Sequence, residues 1–295
     1  MAVAAEKLMR RGKRGATRTV EGKGLRAGTV VRFAFIALFL LFLLFPLYWV
    51  FVTAIKPAED YQTIPPVWFP AEPTGIHFST ALNDLRGWLG LRNSLIVSAV
   101  TTVLSVLIGT AAAYSMARFR TGGKHLAFWV LSQRMMPPIA VIIPLFLLYR
   151  DFHLIDSRLG LVLLYTVFTL PFSIWMMYTY FRQMPVALEE AALVDGCTRM
   201  QALWKIAVPL AAPGLVSAAV FAFIFSWTEF IFALILTSTN ATTLPVVISQ
   251  FLSFQAAQFG ESSALTVVSM VPALLLALLV QRHLVRGLTL GAVQG

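Results

Sequence analysis

The chain has 295 residues, 58% of them hydrophobic and only 12% charged, with a mean hydropathy of +0.79. A soluble domain carries roughly 25% charged residues, so the composition excludes an ordinary soluble globule and points to an integral membrane protein. The net charge of +10 does not argue for nucleic acid, because nine of the 23 Lys and Arg stand in the first 32 residues and no basic stripe with interleaved aromatics follows.

Residues 1–32 read as a basic cytoplasmic tail, held at the inner surface of a membrane. The apolar run at 33–55 is too long for the core of a signal peptide, and no small-residue cleavage site follows, so it is expected to stay as a helix. About 20 apolar residues cross a bilayer as a helix. Six stretches meet that length: 33–55, 93–117, 126–149, 159–181, 215–236 and 264–280. The expected fold is therefore an all-α integral membrane domain of six transmembrane helices over 33–281, with a short tail at 282–295.

With the N-terminus inside, seventeen of the 23 basic residues fall on the inner side and five on the outer, Arg134 lying within a span. That bias predicts both termini to be cytoplasmic. The first outer loop, 56–92, carries Pro57, Pro65, Pro66, Pro70 and Pro73, which oppose long helices. Its Trp68, Phe69 and Trp88 suit either the membrane interface or an outside partner. The third outer loop, 238–263, has no Lys or Arg, and its TTLPVVISQFLSF is apolar enough to dip back toward the membrane. The third span holds Pro137, Pro138 and Pro144, each of which removes a backbone donor. Such breaks are tolerated at membrane depth beside protein or a water-filled cavity, so they fit a transport pathway, or a kink serving packing alone.

The inner connection at 182–213 is far longer than a turn needs. Pro185 suits a first helical turn, and Glu189 and Glu190 suit the positive end of a helix dipole. Ala191 and Ala192 favour helix with little bulk. Asp195-Gly196 signals a turn, and Thr198 with Gln201 has the spacing of a capping box. Leu193, Cys197, Met200 and Trp204 fall near one face, with Arg199 and Lys205 pointing elsewhere. The pattern is helix, tight turn, helix. It serves either as a docking element or as an amphipathic segment lying on lipid.

Glu190-Ala191-Ala192, Asp195-Gly196, Ile206, Pro209 and Pro213 together resemble the EAA loop of ABC importer permeases. The resemblance continues in Asn93-Ser94-Leu95-Ile96-Val97, Ala113-Tyr114, Arg134 to Pro138, Ile143-Pro144-Leu145 and the tail from Arg286 to Val293, which are similar to the carbohydrate (maltose/trehalose-type) branch. Cys197 stands where alanine is common and Leu203 where an aromatic is common, changes that keep the helix and its turn. The resemblance implies a type I ABC importer permease architecture in the cell inner (plasma) membrane. In it Glu189, Glu190, Ala191, Ala192, Asp195, Gly196 and Arg199 form the loop that meets a separate ATPase. It also implies a pair of ATP-binding subunits, a second homologous permease and an outside solute-binding protein, with a sugar as substrate and no nucleic acid.

No G-x-x-x-x-G-K-[ST] occurs, and Gly122-Gly123-Lys124-His125 is only a short basic turn. The chain is thus expected to be a transport subunit and not an enzyme, with no cofactor of its own; ATP and magnesium belong to the partner. The single Cys197 excludes an internal disulfide, and His77, His125, His153 and His283 are dispersed over different segments, so no metal site is expected. Charge at membrane depth is a functional signal. Arg134 and Glu229 are the two cases, separated in depth by roughly 9 Å along ideal helices, so direct pairing requires the prolines to shorten the third span. Arg134, Trp227, Glu229, Thr169, Ser173 and Tyr178 are the candidate substrate-pathway residues, with Tyr165 and Trp175 adding aromatic character. The same groups also serve as hydrogen-bonding glue between helices. Disaccharides such as trehalose or maltose are the first substrate class, polyols or glycerol phosphate the second. The rival class is a stand-alone secondary transporter, which needs its own midplane ion site and leaves the long inner connection unexplained.

Overall fold

The computed structural model describes residues 27–84, 86–123, 125–251 and 258–289, with the side chains of Ala27, Asp84 and residues 282–289 outside the description. Most of the basic tail, Lys124, residues 252–257 and the last six residues lie outside it, as do the side chains of the C-terminal tail. The described chain is helical, in two units divided between Tyr48 and Trp49. Helix α1 is Ala27–Ile55, with Pro46 inside it. In the second unit follow α2 (Ile76–Ser79), α3 (Gly87–Phe119), α4 (Leu126–Ser132), α5 (Pro138–Asp151), α6 (Arg158–Gln183), α7 (Ala187–Val194), α8 (Arg199–Ala202), α9 (Val208–Leu210), α10 (Ala212–Trp227), α11 (Ile231–Leu236), α12 (Leu244–Gln250) and α13 (Phe259–Thr289).

Among the described residues four helices are long and apolar enough to cross a membrane, or up to six if each of two bent pairs, Leu126–Met135 with Pro138–Asp151 and Arg199–Leu210 with Ala212–Trp227, counts as one span. The second expected span is longer than 93–117, because α3 runs from Gly87 to Phe119. The third is not one helix. Leu126–Met135 and Pro138–Asp151 meet at 89°, because Pro137 and Pro138 supply no amide to continue the ladder and Pro137 sits in extended backbone. The fifth, expected as 215–236, breaks between α10 and α11 at Thr228 to Phe230. Glu229 stands in that break. Its carboxylate accepts the amides of Phe232 and Ala233 at 3.1 and 3.3 Å, capping α11 from before its first turn.

The centre of the second unit is the seam between α3 and α6. Apolar helices gain little from one another in lipid, so they associate through close packing and hydrogen bonds. Helix α3 supplies a stripe of small buried residues: Ser94, Ser98, Thr101, Ser105, Gly109 and Ala113. Helix α6 answers with Thr166, Thr169 and Ser173. The Ser105 and Thr169 hydroxyls share a hydrogen bond of 2.5 Å. A β-carbon on Gly109 would stand 2.9 Å from Ser173 Cβ.

Polar groups fasten the N-terminal ends of α3 and α6 to the segment around 238–244. Asn93, fully buried, donates from Nδ2 to the carbonyls of Asn240 and Thr242 at 2.9 and 2.8 Å and accepts from Arg158 Nε at 2.6 Å. Ser94 Oγ accepts the amide of Leu244 at 2.8 Å. Asp156 accepts the amides of Ser238, Thr239, Asn240 and Ala241. Burial raises the Asp156 pKa, but the amides of Ala241, Ser238 and Asn240 and the Thr239 hydroxyl outweigh it and hold the carboxyl well below the usual range. Helix α12 is the described part of the dipping segment, with Leu244, Val246 and Val247 buried. Within the first outer loop, the described residues 56–84 form only short helical turns, as the prolines there require, while Gly87 onward belongs to α3. Lys56, counted in the sequence as an outer-side cation, is buried and donates to the Val67 carbonyl at 2.6 Å. His77 bonds Glu261 Oε1 through Nδ1 at 3.0 Å, tying α2 to α13.

Two outcomes follow. Gly109→Val overpacks the α3–α6 seam and is expected to cost about 1–3 kcal/mol, read as a lower thermal midpoint in detergent. Glu229→Ala removes the cap of α11 and is expected to cost about 1 kcal/mol, whereas Glu229→Gln keeps a capping oxygen and stays close to the parent midpoint.

Candidate functional site

The inner connection folds as its residues dictate. Helix α7 begins at Ala187, so Pro185 lies just before the helix and not in its first turn. Asp195 is the C-cap and Gly196 follows at φ +90°. The Gly196 amide donates to Leu193 O at 3.1 Å and the Cys197 amide to Ala192 O at 2.9 Å, the paired bonds of a Schellman turn. Thr198 then opens α8 with a complete capping box, its amide donating to Gln201 Oε1 at 2.8 Å and its Oγ1 accepting the Gln201 amide at 3.3 Å. Thus two orphan helix ends are satisfied within four residues.

This connection has two faces. Ala192, Ala202, Leu203 and Ala207 are buried, the last two in an apolar cluster with Tyr114, Met177 and Phe181. Glu190, Ala191, Val194, Asp195, Gly196 and Met200 are exposed, Val194 at 88%. The face expected from spacing is therefore divided. Leu193 and Cys197 are half-buried, while Met200 and Trp204 are exposed, because the turn at Gly196 interrupts the helical path. Arg199 lies with its guanidinium 5.2 Å from the centre of the Phe119 ring.

Glu189 departs from the rest. Its side chain is buried and accepts from Arg118 Nη2 at 2.7 Å, Arg118 Nε at 2.8 Å and the Tyr114 hydroxyl at 2.7 Å. It faces α3, whereas the adjacent Glu190 is exposed. Nothing in the spacing separates the two; only the packing of α7 on α3 does.

The second constellation lies where the two broken stretches meet. Arg134, Met136, Pro138, Tyr165, Phe168, Thr169, Phe225, Ser226, Glu229 and Phe232 line a cavity of about 160 Å³. Arg134 Nη1 donates to the Phe168 carbonyl at 2.8 Å, and its guanidinium lies 3.9 Å from the centre of the Phe225 ring. Arg134 and Glu229 share this cavity without forming an ion pair; each is occupied by other partners. The Tyr165 hydroxyl is buried beside the Glu229 carboxylate. The Tyr165 and Ser226 hydroxyls, both lining this cavity, are buried without a hydrogen-bond partner among the described residues. Arg134 also borders a mostly apolar groove of about 390 Å³ with Trp129, Val130, Phe168 and Pro171.

Three candidate residues stand elsewhere. Trp227 stacks on Phe223 and donates Nε1 to the Ser269 carbonyl at 3.2 Å, joining α10 to α13. Ser173 is fully buried in the α3–α6 seam. Tyr178 lies under the Arg182 guanidinium, on a separate cavity with Arg118 and Arg120. A helical row along α6 could not separate Ser173 and Tyr178 from Thr169, because the α3 seam takes one side of the helix and the cavity another. Ser226 and Phe225, which the sequence reading passed over, adjoin Glu229 and mark the break directly.

Residues 105–290 match the family described as binding-protein-dependent transport system inner membrane component. The chain is 37% identical over 256 residues to the diacetylchitobiose uptake system permease protein DasC of Streptomyces coelicolor, covering 86% of this chain and 92% of that protein. It is 39% identical over 261 residues to the trehalose transport system permease protein SugB of Mycobacterium tuberculosis, covering 85% and 93%. Against the trehalose/maltose transport system permease protein MalG of Thermococcus litoralis it is 34% identical over 257 residues, covering 85% and 92%. Its fold is similar to a chain of a bacterial ABC transporter involved in import of the acidic polysaccharide alginate, with a TM-score of 0.74 at 23% identity, covering 89% of this chain and 98% of that one. By family, relatives and fold together, the chain belongs to the binding-protein-dependent transport system inner membrane components, as a permease subunit and not an enzyme.

Proposed function

We propose that the chain is the transmembrane permease subunit of an ATP-driven, binding-protein-dependent sugar importer. In this reading Leu126–Met135 with Pro138–Asp151 supplies one span and Ala212–Trp227 with Ile231–Leu236 another, so that six spans cross the inner membrane and both termini are cytoplasmic. The observation that carries it is the inner connection, a fully capped helix–turn–helix with Ala191, Val194, Gly196 and Met200 exposed on its outer face. Small residues and a left-handed glycine permit close approach by another protein. An ATP-binding pair docks there, ATP and its magnesium stay on that pair, a second permease completes the pore, and a solute-binding protein delivers substrate from outside. The relatives named for trehalose, maltose and diacetylchitobiose support a disaccharide.

The cavity at the two breaks is the proposed piece of the pathway in this subunit. Arg134, Glu229, Thr169, Tyr165 and Ser226 offer charged and hydroxyl groups, and Phe225 and Phe232 offer ring faces, a mixture that suits a neutral polyhydroxyl compound. A phosphorylated polyol would want converging cations, and among the described residues Arg134 is the one cation lining the cavity. A stand-alone secondary transporter leaves the exposed face of the inner connection without a purpose.

Reconstitution of the chain with its ATPase, second permease and binding protein in liposomes is expected to give ATP-dependent uptake of labelled disaccharide. Uptake by the chain alone, indifferent to ATP, would overturn the reading. Gly196→Val forces a β-branched residue to φ +90°, costing about 1–2 kcal/mol, and is expected to weaken co-purification of the ATPase by about five- to thirtyfold. Arg134→Ala is expected to lower uptake while leaving ATPase co-purification at the parent level.

A further inference from the structure

Glu189 and Glu190 are adjacent in the sequence, yet the fold gives them opposite surroundings. Glu190 is exposed. Both oxygens of Glu189 are committed inward, Oε1 to Arg118 and Oε2 to Tyr114. Arg118 Nη2 also donates to the Met184 carbonyl at 3.2 Å, at the junction of α6 and α7. The Arg118 and Glu189 side chains are 7% and 6% exposed, so the pair is shielded from water and is not weakened as a surface pair would be.

The backbone by itself connects α7 loosely. On one side Met184 is extended, with ψ 131°, and Pro185 follows, so α6 does not continue into α7. On the other side the chain reverses at Gly196. A displacement of α7 has no continuous helix through which to travel. Its side-chain attachment to α3 is different. Arg118 and Tyr114 stand near the inner end of α3, a single helix that carries Asn93 and Ser94 near its outer end. Twenty-five residues of helix separate Arg118 from Asn93, roughly 37 Å at 1.5 Å per residue. Those two outer residues hold the backbone of Asn240, Thr242 and Leu244.

We propose that the buried Arg118–Glu189–Tyr114 cluster is the strut that transmits movement of the inner connection to α3, and along α3 to the outer loop at 240–244. Glu189 is then a positioning residue for transport, acting through Arg118 and Tyr114, while Glu190 is left to face the partner. The two arrangements of α3 that an alternating cycle requires are biased from inside by this cluster, a contiguous physical link between two separated sites.

The proposal rests on the permease reading above. Its test uses the complete transporter in liposomes, with substrate moved per ATP hydrolysed as the readout. Glu189→Gln is expected to retain ATPase co-purification and hydrolysis while the ratio falls by at least ~5-fold, the lower end of typical coupling effects. Tyr114→Phe is expected to lower it less, and the exchange Arg118→Glu with Glu189→Arg to recover part of the loss. Loss of ATPase co-purification in Glu189→Gln with a parent ratio in Arg118→Lys would make Glu189 a docking residue and overturn the strut. A parent ratio in Glu189→Gln overturns it as well. Should Glu189→Gln fail to accumulate, parent ratios in both Tyr114→Phe and Arg118→Lys overturn it, and reduced ratios with intact hydrolysis support it. A parent transporter that moves substrate without consuming ATP would instead defeat the permease reading itself.

Discussion

The close approach of α3 and α6 is the constraint on which the rest of the second unit depends. Two apolar helices in lipid have no water to escape by meeting, so their contact must come from shape and hydrogen bonds. Gly109 against Ser173, and Ser105 against Thr169, supply both. With that seam closed, one side of α6 is used up. Thr169 lies where the seam meets the cavity: it bonds Ser105 and also lines the space shared with Arg134 and Glu229.

The cavity exists because two helices are broken opposite α6. Broken backbone at membrane depth survives only where its free groups find partners. At the first break Arg134 bonds the Phe168 carbonyl and lies against Phe225, bringing the bend down onto α6 and α10. At the second, Glu229 accepts the amides that open α11. The two charges that look alike in the sequence therefore do different local work. One is a donor steadied on an aromatic ring, the other a helix cap, and both keep part of their polarity facing the same small space.

Both ends of α3 are held by polar groups. Arg118 and Tyr114 grip Glu189 at its C-terminal end, and Asn93 and Ser94 grip the loop ahead of α12 near its N-terminal end. Asp156 reinforces the latter grip by gathering four successive amides. Such loops would otherwise leave unpaired amides, and their capture fastens residues 238–244 to the ends of α3 and α6.

The sequence by itself determined the class and the local chemistry of the inner connection. Those follow from composition, from hydrophobic run length and from short-range rules, and so the capping box at Thr198 and the turn at Gly196 were legible from their neighbours alone. It also placed Arg134, Thr169 and Glu229 among the pathway candidates without showing that they share one cavity. What only the tertiary structure decided was direction. Glu189 turns inward and Glu190 outward, Trp227 ties α10 to α13, Ser173 fills the seam, and Asp156 gathers a loop more than 80 residues away in the chain. Each of those outcomes depends on which helix packs on which face, and spacing along one chain segment carries no record of its neighbours across the fold.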